Sequence, residues 1–205
     1  MPKTKFENKL IKLVIFDLCG VLIDVAWQNM GQILKENKVG VSEDIFRKTS
    51  EEVFQLNKYT SIEYSVDIFL KRLNLQDNDT LRKTQISFIN NWGEEAKPNV
   101  EAIALLNFAK KCGLKTAILS NVFPVKESWK KKWNIDTVDR FFFSYETGVL
   151  KPNKQAFLNV SQAFNISPNR CLVIGDSKKK EIAPANRLGM ATIYWPNFLQ
   201  KLPRP

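Results

Sequence analysis

Asp17 and Asp176 each close an apolar run, Val14-Ile15-Phe16-Asp17 and Cys171-Leu172-Val173-Ile174-Gly175-Asp176. Such runs read as interior parallel strands, and open α/β sheets bind ligands just beyond the carboxyl ends of those strands. Two further segments carry polar groups at comparable places. Lys115-Thr116-Ala117-Ile118-Leu119-Ser120-Asn121 ends in a hydroxyl and an amide, and Gly148-Val149-Leu150-Lys151-Pro152 presents an ammonium at a helix start. Taken singly, a strand-end Asp or Ser is equally well explained by turn or cap chemistry. The sequence contains no histidine, which excludes imidazole general bases, Ser-His-Asp triads and His-ligated zinc. Catalysis would have to run on carboxylates, lysine or thiol.

The elements that must position these groups follow from periodicity. From Trp27 to about Trp92 the apolar residues recur with helical spacing, at Ile45, Phe46, Val53, Phe54 and Leu56 and again at Ile62, Val66, Phe69, Leu70 and Leu73. This predicts a bundle of about four helices, with a helix start at Ser42 and a break at Gln76 to Asp79. After Pro98 helices and strands alternate: a helix to about Lys111, a strand to Ser120, a helix near Val125 to Trp133 and a strand at Phe141 to Ser144. A helix at about Lys154 to Phe164, a strand at Cys171 to Gly175, a helix at Glu181 to Leu188 and a strand at Ala191 to Trp195 complete the series. That alternation implies right-handed crossovers and a parallel sheet with helices on both faces.

Taken in chain order, the four segments resemble the haloacid dehalogenase-like hydrolase superfamily, whose motifs supply a nucleophilic Asp, a Ser or Thr, a Lys and an acidic pair. The resemblance extends over nearly all 205 residues. It implies a three-layer Rossmann-like core of residues 1–23 and 96–205, with residues 24–95 inserted as an α-helical cap that encloses a small substrate and excludes water. It further implies that Asp17 attacks phosphorus and forms an aspartyl-phosphate. Mg²⁺ would be bound by Asp17, by the backbone carbonyl of Cys19, by Asp176 and, through water, by Glu181. Ser120 and Asn121 would hold the phosphoryl oxygens, and Lys151 would supply positive charge to them and to Asp17. Two carboxylates at adjacent strand ends repel one another unless a cation lies between them, which fits a Mg²⁺ site.

Two departures from the family pattern bear on activity. Cys19 stands where phosphatases of the family carry a second Asp that protonates the leaving group. A thiol with an ordinary pKa of about 8.5 replaces it poorly, and family members with glycine here, some similar to sugar-phosphate phosphatases, share the Phe-Asp-Leu-x-x-Val setting. The second departure is at the acidic pair. The position four residues after Asp176 is Lys180, and the acid, Glu181, follows one residue later.

The resulting expectation is a Mg²⁺-dependent phosphatase of a small phosphorylated metabolite such as a sugar phosphate. The alternatives are a degenerate member that binds without turnover and, third, a 2-haloacid dehalogenase, against which the acids at Asp176 and Glu181 and the absence of an aromatic residue at position 19 both count. A net charge of +10 raises the question of a nucleic-acid partner. The clusters Lys130-Lys131-Lys132 and Lys178-Lys179-Lys180 lack interleaved aromatics, apart from Trp129 and Trp133, which equally suit a helix face, so nucleic acid is disfavoured. No apolar stretch reaches the roughly 18–20 residues of a membrane span, and Met1 to Leu10 is too polar for a secretory segment. Three cysteines, with Cys112 and Cys171 read as buried, suit a reducing, cytoplasmic setting. Trp27, Gln28 and Asn29 are candidates to face the pocket, and oligomeric state is not legible.

Overall fold

The computed structural model describes residues 10–25 and 30–196. Trp27, Gln28 and Asn29 lie outside the described residues. A five-stranded sheet runs in the order Arg140–Phe143, Lys115–Ser120, Leu13–Phe16, Cys171–Gly175, Ala191–Tyr194, every neighbouring pair parallel. Its strands are β1 (Leu13–Phe16), β4 (Lys115–Ser120), β5 (Arg140–Phe143), β6 (Cys171–Gly175) and β7 (Ala191–Tyr194). The fold is α/β and Rossmann-like, as its alternating pattern predicts.

Alternation along β1 divides the interior in two. Val14 and Phe16 enter one apolar cluster, whereas Leu13 and Ile15 enter another on the opposite face. The first face is covered by α5 (Val100–Lys111) and α6 (Glu127–Lys132), and the second by α8 (Lys154–Ala163) and α9 (Ala183–Arg187). Both faces being covered explains why β1 reads as a continuous apolar run.

Between the first and second sheet strands the chain forms α1 (Met30–Glu36), α2 (Glu43–Ser50), α3 (Ile62–Arg72) and α4 (Asp79–Asn91). A π-helical turn, Glu51–Gln55, extends α2. The starts follow local cap chemistry: the Ser42 hydroxyl accepts from Ile45 N–H, Ser61 from Tyr64 N–H and the Asn78 side chain from Leu81 N–H. A two-stranded antiparallel ribbon of β2 (Ile23–Asp24) and β3 (Lys97–Pro98) joins the exit to the return. The helical insert shares one apolar cluster with a face of the sheet, so the two parts are packed, not tethered.

Several sequence expectations need adjustment. Cys112 is exposed, because it caps the C-terminus of α5 ahead of Gly113 and does not enter a strand; Cys171, on β6, is buried. Ser144 does not extend β5 but opens a short helix, α7 (Ser144–Thr147), and the helix expected from Glu181 starts three residues earlier as a π turn, Lys178–Ile182. Trp129 and Trp133 are fully buried, which leaves neither ring a face on which a base could stack. No helix among the described residues is long and apolar enough to cross a membrane.

Candidate active site

β1, β4 and β6 are neighbours, and their register aligns Phe16 with Ile118 on one side and Ile174 on the other. The residues that follow are therefore delivered to one edge of the sheet: Asp17 from β1, Ser120 from β4 and Asp176 after β6. Asp17 N–H donates to Ile174 C=O at 2.9 Å, which extends the ladder one residue and fixes where the carboxylate begins. Leu18 N–H donates to Asp17 Oδ1 at 2.7 Å and sets the side-chain orientation. Asp17, Cys19, Ser120, Asn121, Lys151, Asp176 and Glu181, all seven residues singled out in the sequence, line a single cavity of about 610 Å³.

Lys151 enters from the loop before α8. Its ammonium lies 2.7 Å from Asp17 Oδ1 and 2.9 Å from Glu181 Oε1, with all three side chains buried. Its backbone is clamped at both ends by one side chain: Lys151 N–H donates to Asn121 Oδ1 at 2.8 Å, and Asn121 Nδ2 donates to Lys151 C=O at 2.9 Å. The Asn121 amide is thus engaged with the protein and is a positioning group for Lys151. The sequence offers the Asn121 backbone or side chain as an aid to phosphate binding, and one donor and one acceptor site of that side chain are taken up by this clasp.

The extra residue before Glu181 is absorbed by the π turn. Ile182 N–H donates to Ser177 C=O at 3.2 Å, an i→i+5 bond that accommodates one residue more than an α turn. Glu181 consequently points inward and is 2% exposed, while Lys180 is exposed. Glu181 Oε2 accepts from Ser177 N–H at 2.8 Å. The close approach needs Gly175, where a Cβ would stand 2.5 Å from Glu181 Cβ.

The electrostatics are those of an acidic cluster with too little positive charge. Carboxylate oxygens of Asp17, Asp176 and Glu181 come within 4.8 Å of one another, facing the single ammonium of Lys151. Burial first, then repulsion from Asp17 and Glu181, pushes Asp176 up to about 6. Burial also lifts Glu181 above the carboxylate range despite the pull of Lys151. Burial opposes the Lys151 charge, yet the two carboxylates outweigh it and hold the ammonium above its ordinary value. Hard oxygen donors with surplus negative charge fit a divalent cation such as Mg²⁺. Cys19 contributes no charge: desolvation, then the Asp17 carboxylate, raise its thiol far enough that it stays protonated at neutral pH, in hydrogen-bond contact with Ser120.

The helical insert supplies much of the remaining lining, with Phe46, Arg47, Ser50, Gln55, Gln85 and Phe88. Sequence reading named none of these as site residues. One signal was available: Leu81, Gln85 and Ile89 are the buried stripe of α4, and a glutamine interrupts it.

A cleft at the carboxyl edge of a parallel sheet, holding an Asp, a Ser, a Lys and an acidic pair in chain order, defines a class of hydrolase. Residues 11–189 match the haloacid dehalogenase-like hydrolase family, and the chain belongs to it. Glyceraldehyde 3-phosphate phosphatase of Pyrococcus furiosus is 26% identical over 196 residues, covering 90% of this chain and 80% of its own. Pyrimidine 5'-nucleotidase YjjG of Escherichia coli is 32% identical over 127 residues, covering 60% of this chain and 54% of its own. Among solved structures, a HAD family enzyme of Bacteroides thetaiotaomicron in a magnesium complex has a TM-score of 0.63 at 20% identity, with 90% of this chain and 92% of that one covered, a likeness of fold.

Proposed function

We propose that the chain is a Mg²⁺-dependent phosphoric monoester hydrolase acting on a small phosphorylated metabolite, a sugar phosphate being the favoured class. The observation that carries this reading is the buried Lys151 ammonium bridging Asp17 and Glu181 beside Asp176, where the adjacent strands β1 and β6 end. Phosphatase relatives add support.

In the proposed reaction an Asp17 carboxylate oxygen attacks phosphorus, the ester P–O bond breaks, and the leaving oxygen departs with the bonding pair. Water then attacks the aspartyl-phosphate, the Asp17 O–P bond breaks and inorganic phosphate is released. Lys151, itself buried, compensates charge on the phosphoryl oxygens and on Asp17. Ser120 Oγ and the Asn121 backbone N–H hold those oxygens. Asp17, the Cys19 carbonyl and Asp176 would hold Mg²⁺, with Glu181 engaged through water, and the ion when bound supplies countercharge to carboxylates and phosphate alike. Residues 24–95 serve as the cap, and the reducing cytoplasm is the proposed setting, since the three cysteines are free.

The protonated thiol of Cys19 is a poor general acid, so the leaving oxygen takes its proton from solvent. Loss of that term costs roughly 10²–10⁴ in rate for leaving groups that need it. Aryl phosphates should therefore be hydrolysed faster than simple alkyl phosphates. The test is phosphate release from a panel of both classes and of sugar phosphates, in Mg²⁺ and in chelator. Metal-dependent release supports the reading, and absence of release from every compound contradicts it. The same Cys19 motivates a second reading, a binding protein without turnover, which gains if Cys19→Asp fails to raise activity above background.

A further inference from the structure

The buried stripe of α4 runs Leu81, Gln85, Ile89, with exposures of 0%, 3% and 1%. An apolar residue at the middle position would complete the stripe. The chain instead buries a primary amide whose Nε2 has no hydrogen-bond partner among the described residues. A buried, unpaired amide is destabilising. Gln85 lines the cavity that also contains Asp17, so its amide stands in the wall of the space open to the organic part of a phosphate ester.

The surroundings narrow what that part is. Two more buried neutral polar residues from the insert, Ser50 and Gln55, line the same cavity beside the rings of Phe46 and Phe88. The guanidinium that the insert contributes to the lining, Arg47, is already paired with Asp44 at 2.7 Å and Glu51 at 3.2 Å, and two of the insert's carboxylates, Glu43 and Glu51, also face the cavity. Lys180, the remaining cation of the lining besides Lys151, comes from the core side next to Glu181. A second anionic group on the substrate would therefore meet repulsion from the insert, whereas uncharged oxygens would meet amides, a hydroxyl and apolar ring surface. At about 610 Å³ the cavity has room for such a group, within the range of about 300–1,000 Å³ usual for small-molecule sites.

We propose that Gln85 is a specificity-determining residue that hydrogen-bonds a hydroxyl of an uncharged, hydroxylated leaving group, as in a monophosphate of a sugar or polyol. A hydroxyl both donates and accepts, so it satisfies the Gln85 amide in either orientation. The inference rests on the phosphatase reading above and extends it to the substrate's organic part.

The test compares wild type with Gln85→Met on two probes, ribose 5-phosphate and phenyl phosphate, with 3-phosphoglycerate as an anionic control and thermal unfolding measured alongside. The variant should unfold at an equal or higher temperature, because an orphaned amide has been replaced by an apolar isostere. The ratio of kcat/KM for ribose 5-phosphate to that for phenyl phosphate should fall about tenfold or more, the value of one lost hydrogen bond. An unchanged ratio, a wild-type preference for 3-phosphoglycerate, or a variant that unfolds earlier or fails to fold would overturn the role assigned to Gln85. Hydrolysis of phenyl phosphate by wild type with any of those results leaves the phosphatase reading standing; hydrolysis of neither probe overturns both.

Discussion

At the residue scale the site is governed by one ammonium. Lys151 is ion-paired with two buried carboxylates, and removing one partner of such a group costs far more than forming it gains. Lys151→Met should abolish activity and, in chelator, lower stability by about 3–5 kcal/mol. Added Mg²⁺ should then raise the unfolding temperature more in the variant than in wild type, because the cation substitutes for lost countercharge. Equal metal-induced shifts in a thermal melt would count against the cluster as a cation site. Asp17, Ser120, Lys151 and Asp176 were legible in the sequence because each stands next to an apolar run or a helix start. The role of Asn121 was not, since its amide clasps a peptide unit 30 residues away and no local pattern encodes that pairing.

At the scale of elements, the spacing Asp176 to Glu181 looked like a defect, and the π turn is its structural answer. Linear spacing specifies inward placement only for an assumed helix type, and π turns have no simple sequence signal. Gly175→Ala tests the arrangement. Its Cβ would overlap Glu181 Cβ and Cγ, at 2.5 and 2.6 Å, so the turn must shift, with an expected loss of about 1–3 kcal/mol in denaturant unfolding and a matching fall in activity. A second element-level feature is the end of the sheet at β5. There Thr116 N–H and hydroxyl both bond Asp139 Oδ2, at 2.8 and 2.9 Å. Partial burial opposes the Asp139 charge, but these bonds prevail and hold its carboxyl below the usual value. A depressed carboxyl adds stability above its unfolded pKa and loses it as pH falls through the folded one. Asp139→Asn should therefore destabilise at neutral pH, and the difference from wild type should shrink in melts carried below pH of about 4. A difference that grows on acidification would contradict the assignment.

At the scale of the whole molecule, the helical insert and the sheet core are joined by aromatic packing. Phe123 from the core contacts Phe54, Phe88 and Trp92 of the insert, with centroids 5.6–6.2 Å apart, and Trp92 meets Trp129 and Trp133 at 5.4 and 5.8 Å. Gly93 lets that cluster close, since a Cβ there would stand 2.6 Å from the Trp129 ring. The α/β rhythm and the position of the helical insertion were readable from periodicity alone. Which faces of the insert line the cavity was not, because Phe46 and Gln85 are distinguished from ordinary core positions only by tertiary placement. The proposed hydrolysis depends on Asp17 acting as a nucleophile. Its most direct test is phosphate release from phenyl phosphate in Mg²⁺ by wild type and by Asp17→Asn, with unfolding temperatures compared to show that both fold. Release by wild type and its loss in a folded Asp17→Asn is the predicted result; equal release by the two proteins would contradict the account.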